Sequence, residues 1–178
     1  MLGRWRKYSA EEEVAAGLPK VFPRIWRYAF SLTGSRDGAD DLAQAACLRA
    51  IEQASKFQPG THLDRWMFRI THNLWISEIR KEKVRKGGGM PMVDAAEIPD
   101  PKQDPERDYD RQEVLKSVLD LPEAQRVTVV LVYVEGYSYK AAAEILDIPL
   151  ATVMSRLATA RASLGRKFRD QRGMSRAR

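Results

Sequence analysis

Between Thr152 and Arg161, two guanidiniums (Arg156, Arg161) and three hydroxyls (Thr152, Ser155, Thr159) recur at helical intervals around Met154. Groups of these types, so spaced, can donate to phosphate oxygens and to base edges in a DNA major groove. A solvated basic helix face would carry the same periodicity, and the pattern alone leaves both readings open. Asp40, Asp41, Gln44 and Arg49 form a second set. The acidic and amide groups among them suit a basic partner helix, or water.

Chemistry of other kinds finds little support. His62 and His72, with the single Cys47, do not match recurring zinc-ligand spacings. Gly87-Gly88-Gly89 lacks the strand before it and the lysine after it that a phosphate-cradling loop needs. No serine sits in a nucleophile elbow. No enzyme activity, metal or cofactor is expected, and the two histidines read as polar or DNA-facing residues. Cys47, inside an apolar helical pattern, reads as a small buried hydrophobe.

The elements that must position these groups follow from periodicity and breakers. The stretch from Gly136 to Phe168 reads as two helices around a tight break. Ser138 is the N-cap candidate. Ala142, Ala143, Ile145 and Leu146 give a short helix, and Asp147-Ile148-Pro149 ends it. Leu150, Val153, Leu157 and Leu164 are expected on the inner side of the second helix. Such a pair is a helix-turn-helix. Before it, a helix from about Arg107 carries Val114, Leu115, Val118 and Leu119. Pro122 fits a first helical position, and Val127, Val130, Leu131 and Val134 are expected to pack the next helix.

The N-terminal half, from about Glu11 to Arg85, reads as three or four helices. The first includes Ile25, Trp26, Tyr28, Ala29, Phe30 and Leu32, and residues 33–38 turn. The second, roughly Ala39 to Ser55, is expected to bury Leu42, Ala45, Leu48 and Ile51 as one stripe. Phe57-Gln58-Pro59-Gly60-Thr61 must be a loop. The third, from about Leu63 to Lys83, is expected to turn Leu63, Met67, Ile70 and Leu74 inward, and Trp66 reads as core.

Charge is unevenly spread over a net +6. From Val153 to Arg178 there are eight basic residues (Arg156, Arg161, Arg166, Lys167, Arg169, Arg172, Arg176, Arg178) against Asp170 alone. From Asp94 to Asp110 there are seven acidic residues against Lys102 and Arg107. A basic end points to a nucleic-acid partner for that part. Pro99, Pro101 and Pro105 in the acidic stretch mark a flexible tether. No membrane span or signal peptide is legible, so a cytoplasmic protein with no membrane contact of its own is expected.

The wording of the motifs is similar to that of bacterial sigma factors of the extracytoplasmic-function (ECF) group. Leu121-Pro122-Glu123-Ala124-Gln125-Arg126, Glu135-Gly136-Tyr137-Ser138-Tyr139, Thr152-Val153-Met154-Ser155-Arg156-Leu157 and Ala160-Arg161 resemble their promoter-binding C-terminal domain. Ser31-Leu32-Thr33-Gly34 with Ala39-Asp40-Asp41-Leu42-Ala43-Gln44 resembles the segment that grips the polymerase clamp. Phe57-Gln58-Pro59-Gly60-Thr61, Trp66-Met67-Phe68-Arg69-Ile70 and His72-Asn73-Leu74 resemble the promoter-melting segment. The sequence departs at Ala151 (usually glycine), Ala141 (often glutamate), Thr159 (usually arginine) and Ser77 (often aspartate).

The resemblance implies an all-α fold of two small helical domains joined by a flexible acidic linker. The first spans 11–87, the linker 88–106, the helix-turn-helix domain 107–170 and a basic tail 171–178. It implies that Thr152, Met154, Ser155, Arg156, Thr159 and Arg161 meet the −35 element. Lys56, Gln58, Pro59, Gly60, Thr61 and His62, backed by Arg65, Arg69, Asn73 and Arg80, would hold an unstacked base of the −10 element during melting. Asp40, Asp41, Gln44 and Arg49 would meet the polymerase clamp. Implied partners are core RNA polymerase (clamp and flap), promoter DNA and an anti-sigma factor, with the free chain monomeric. Two alternatives remain open: a sigma mimic that sequesters an anti-sigma factor, favoured by the losses at Ala141 and Thr159, and a stand-alone helix-turn-helix regulator.

Overall fold

The structure, a computed structural model, describes residues 9–86 and 114–175, so the expected linker 88–106 and the start of the following helix lie outside the described residues. All regular structure among the described residues is helical: α1 (Ala10–Thr33), α2 (Arg36–Glu52), a 3₁₀ turn (Ala54–Lys56), α3 (Leu63–Lys86), α4 (114–119), α5 (Glu123–Val129) running into a π-turn (Val130–Val134), α6 (Tyr139–Leu146) and α7 (Leu150–Ser175). The described residues divide into two compact units, 9–29 with 37–86, and 30–36 with 114–175.

In the first unit, α1 begins with a reciprocal cap. Ser9 Oγ accepts from the Glu12 amide at 3.1 Å, and Glu12 Oε2 accepts from the Ser9 amide at 3.0 Å. Pro19 and Pro23 sit inside the helix, four residues apart on its exposed side, where water can satisfy the carbonyls they leave free. The opposite side buries Val14, Leu18, Ile25 and Tyr28. Tyr28 packs edge-on against Phe68 of α3, with centroids 5.1 Å apart, and its hydroxyl lies 3.1 Å from His72 Nδ1. His72 is therefore a buried core residue and not a DNA-facing one.

The expected stripe of α2 is corrected. Leu42 is buried, but Ala45 is exposed and Leu48 and Ile51 are 60% and 58% exposed. Four positions each three residues apart drift by about 60° per step at roughly 100° per residue, so this set walks from the core side to the solvent side. The face that is buried is Ala39, Leu42, Ala43, Ala46 and Ala50, small residues that let neighbours approach closely. In α3, Met67 is buried as expected, while Leu63, Ile70 and Leu74 are half-buried. The buried arc is rotated toward Phe68, Thr71 and His72. Trp66 is half-buried against Phe57 at 5.3 Å between centroids.

The second unit holds the helix-turn-helix. Pro122 lies just outside α5 (φ −51°, ψ 138°), so it caps the helix and does not begin it. Arg126 is buried and donates from Nη1 to the Leu119 carbonyl at 2.6 Å, closing the end of α4. Burial lowers its pKa, against the opposing effect of Glu123. Val127, Val130 and Leu131 are buried as expected, but Val134 is 57% exposed. The wider winding of the π-turn, closed by the Glu135 amide on the Val130 carbonyl at 2.9 Å, moves Val134 out of phase with the core.

Ser138 caps α6, its hydroxyl accepting from the Ala141 amide at 3.2 Å. Ala141, Ala142, Ala143, Ile145 and Leu146 are buried. Asp147 ends the helix in the left-handed conformation at φ 52°, which a short polar side chain tolerates. In α7, Val153, Leu157 and Ala160 are fully buried, Leu164 is half-buried and Leu150 is 47% exposed, so Leu150 is not an inner residue. The helix continues through Ser175, past the expected boundary at 170.

Candidate nucleic-acid interface

Helix geometry distributes the polar residues of α7 more widely than a single basic face. The buried residues Val153, Leu157 and Ala160 fix the inner side. Directly outward lie Ala151, Ser155, Ala158 and Ala162, all exposed and small. Arg156 and Arg161 lie on opposite flanks of that small-residue strip, about 220° apart measured across it at roughly 100° per residue, each nearer the buried side than the strip's centre. Arg156 is half-buried beside Thr152, whereas Arg161 is exposed beside Met154. A strip of small side chains lets a helix approach groove edges closely while flanking guanidiniums reach the phosphates on either side.

The hydroxyls are not equivalent either. Thr159 Oγ1 donates to the Ser155 carbonyl at 3.1 Å, so this side chain is engaged with its own helix. Ser155 is exposed at the centre of the outward strip. Tyr133 and Tyr139 are exposed on the same unit as Arg161. The Tyr133 phenol has its pKa raised, first by a hydrogen bond with Tyr139, and the positive charge of Arg161 opposes the shift. Tyr133 lies in the π-turn, which has no obvious sequence signature, and Tyr139 opens α6.

In the first unit, residues 56–62 form a tight turn between α2 and α3. The Thr61 amide and Oγ1 both donate to the Gln58 carbonyl, at 3.2 and 2.7 Å. Pro59 and Gly60 occupy the middle positions, and Gly60 has φ +79°, the value required at the third position of a type II turn. Buried Phe57 anchors the turn from below. Lys56, Gln58, Pro59, Gly60, Thr61 and His62 are all exposed. Arg65, Arg69 and Asn73 follow at four-residue spacing along α3, the first half-buried and the others exposed. The turn and this ladder thus make one open, cationic strip. Arg80 lies further along α3, and its side chain is outside the described residues.

The acidic set on α2 is split. Asp40 is half-buried and Trp26 Nε1 donates to its Oδ1 at 2.5 Å, so it belongs partly to the core. Asp41 and Gln44 face outward together with exposed Leu48 and Ile51, at helical positions three, four and three residues apart. Arg49 sits on the flank, 3.5 Å from Glu52. The outward face of α2 is therefore apolar at one end and acidic-amide at the other. Leu48 and Ile51, which the apolar pattern of the sequence assigns to the core, lie instead on this outward face.

Cys47 is half-buried, and burial raises its thiol pKa. Among the described residues no group of three or more His, Cys, Asp and Glu side chains could hold a metal ion, and no helix is long and apolar enough to cross a membrane.

A helical unit with an exposed turn and cationic ladder, and a second unit built on a helix-turn-helix, define a transcription initiation factor of the sigma-70 type. Residues 20–85 match the model of Sigma-70 region 2 and residues 111–164 that of Sigma-70, region 4. The chain belongs to the ECF RNA polymerase sigma factors, which direct the polymerase to promoters. It is 34% identical to the ECF RNA polymerase sigma factor EcfG of Rhodopseudomonas palustris over 88% of this chain and 83% of that one. It is 29% identical to the ECF factor SigW of Bacillus subtilis over 83% and 84%. Among solved structures it is similar to the sigma factor RpoE in complex with the anti-sigma factor NepR from Bartonella quintana, with a TM-score of 0.76 and 28% identity over 88% of this chain and 97% of that one.

Proposed function

We propose that this sigma factor divides its work among three surfaces. Asp41, Gln44, Leu48 and Ile51 on α2 dock the polymerase clamp, with Asp40 and Arg49 shaping the edges. The 56–62 turn, with Arg65, Arg69, Asn73 and Arg80, receives an unstacked base of the −10 element and tracks the separated strand. Thr152, Met154, Ser155, Arg156, Thr159 and Arg161 on α7 read and clamp the −35 element. Residues 11–87 and 107–170 are the corresponding domains, with 88–106 as an acidic connector and 171–178 as a basic extension.

The observation that carries the reading is the opposite chemistry of two outward helix faces, apolar-acidic on α2 and small-residue with flanking guanidiniums on α7. A protein surface favours the first and a polyanion the second. The factor works in the cytoplasm without catalysis of its own, is monomeric when free and contacts the polymerase flap through its C-terminal domain. An anti-sigma factor is a partner, by analogy with the complex of the Bartonella relative.

Strand opening is the decisive assay. Replacing Gln58-Pro59-Gly60 with a flexible polar segment is expected to leave closed-complex formation nearly intact and to block opening. Permanganate reactivity of unpaired thymines at the −10 element measures this. Undiminished reactivity would remove the turn from the mechanism.

A further inference from the structure

The 56–62 turn is held from outside itself by a residue that precedes the region 2 match, which begins at residue 20. The Gly60 amide donates to both carboxylate oxygens of Glu13, at 3.0 Å to Oε2 and 3.3 Å to Oε1. Glu13 stands in the first turn of α1, secured by the Ser9–Glu12 cap. One turn further along, Gly17 gives room for Leu63 at the start of α3. A Cβ at Gly17 would lie 2.2 Å from Leu63 Cδ2, so α1 and the turn's exit are closely apposed.

The bond matters because of which peptide it holds. In a type II turn the central peptide, here Pro59–Gly60, is turned over relative to a type I turn, and its amide is not used by the turn's own hydrogen bond. That amide is the group Glu13 takes. Without it the peptide can turn over, Gly60 leaves positive φ, and the exposed edges of Pro59, Gly60 and Thr61 are re-aimed. Gly60, with no Cβ, adopts either sign of φ without a steric penalty, so side-chain sterics at this position do not select between the two states.

We infer that Glu13 is a positioning residue for the −10 turn, selecting by its carboxylate the peptide orientation that receives the unstacked base. The inference rests on the assignment of the 56–62 turn made above. Glu13 acts through the turn's backbone, so its loss is expected to alter opening and to leave polymerase binding unchanged.

The test combines two measurements on Glu13→Ala, Glu13→Gln and Glu11→Ala, the last removing an exposed charge from the same turn of helix. Hydrogen exchange of the Gly60 amide in the free chain reports the bond itself. In Glu13→Ala it is expected to quicken about three- to tenfold, the range one net hydrogen bond supports, with Glu13→Gln intermediate because its amide oxygen still accepts. Holoenzyme carrying the same variants should lose permanganate reactivity in the same order, with core affinity unchanged and Glu11→Ala like wild type.

Unchanged exchange at Gly60 in Glu13→Ala overturns the inference. So does undiminished opening by Glu13→Ala while the Gln58-Pro59-Gly60 replacement blocks opening. In that case the turn still receives the base, and Glu13 does not position it. If Glu11→Ala impairs opening as much as Glu13→Ala, local charge is the cause and the inference is again overturned. If the turn replacement itself opens normally, the assignment of the turn falls, and this inference falls with it.

Discussion

Helices α2 and α7 are built alike on the inside and differ on the outside. Each turns an apolar stripe inward, mostly alanines around Leu42 in α2 and Val153, Leu157 and Ala160 in α7. Outward, α2 shows Asp41, Gln44, Leu48 and Ile51, whereas α7 shows Ser155 and alanines between two guanidiniums. An exposed pair of large aliphatic side chains costs water contact in the free protein and is recovered only when covered by a partner surface. A strip of alanine and serine costs little in water and offers close approach. The buried pattern specifies the fold of each helix, while the outward residues give the two faces different chemistry, the difference on which the proposed division between a protein and a DNA partner rests.

The largest effect should come from placing a charge at the centre of the α2 face. Leu48→Asp is expected to weaken binding to core polymerase by about 2–3 kcal/mol, the loss of one buried aliphatic side chain. Its thermal stability should stay within about 0.5 kcal/mol of wild type, because Leu48 is 60% exposed in the free chain. A melting temperature that fell sharply would return Leu48 to the core. Asp41→Lys should act in the same direction and less strongly.

On α7 the two arginines sharpen the contrast by behaving differently from each other. Arg156→Ala should cost about 1–3 kcal/mol on a −35 duplex and relax preference at one base pair, as expected for a lost bidentate base contact near the helix start. Arg161→Ala, on the opposite flank, should lower affinity evenly across sequences and reduce the salt slope by roughly one unit. Titration of both variants against single-base promoter changes at several salt concentrations separates them. Equal, wild-type binding by both would make the face a solvated one and favour the sigma-mimic alternative.

The smallest expected effect lies beside the α2 face. With its pKa raised by burial, Cys47 holds less thiolate near neutrality than a free cysteine. Its alkylation by iodoacetamide should be slower than that of glutathione at pH 8 and should keep rising well into the alkaline range. A rate equal to that of a free thiol would contradict the burial.

The sequence made some of this legible and hid the rest for physical reasons. Ser138 and Asp147-Ile148-Pro149 marked both ends of α6 because capping and proline act locally. The Gln58-Pro59-Gly60-Thr61 turn was equally local. Leu48 and Ile51 were misread because three-residue spacing fits a helix over one step and drifts across it over three. Val134 was misread because the π-turn shifts the phase without a breaker. His72 was misread because its partner, Tyr28, lies 44 residues away. Glu13 was invisible for the same reason, its partner Gly60 being 47 residues distant.

The claim that the two helix faces serve two different partners is tested most directly by one paired titration. Wild type, Leu48→Asp and Arg156→Ala would each be titrated, as the full chain, against core polymerase and against a −35 duplex under the same buffer. The account predicts a crossed result: Leu48→Asp loses polymerase affinity and keeps DNA affinity, and Arg156→Ala does the reverse. If either substitution weakened both partners together, or if Leu48→Asp left polymerase binding at the wild-type level, the division of labour between α2 and α7 would be contradicted.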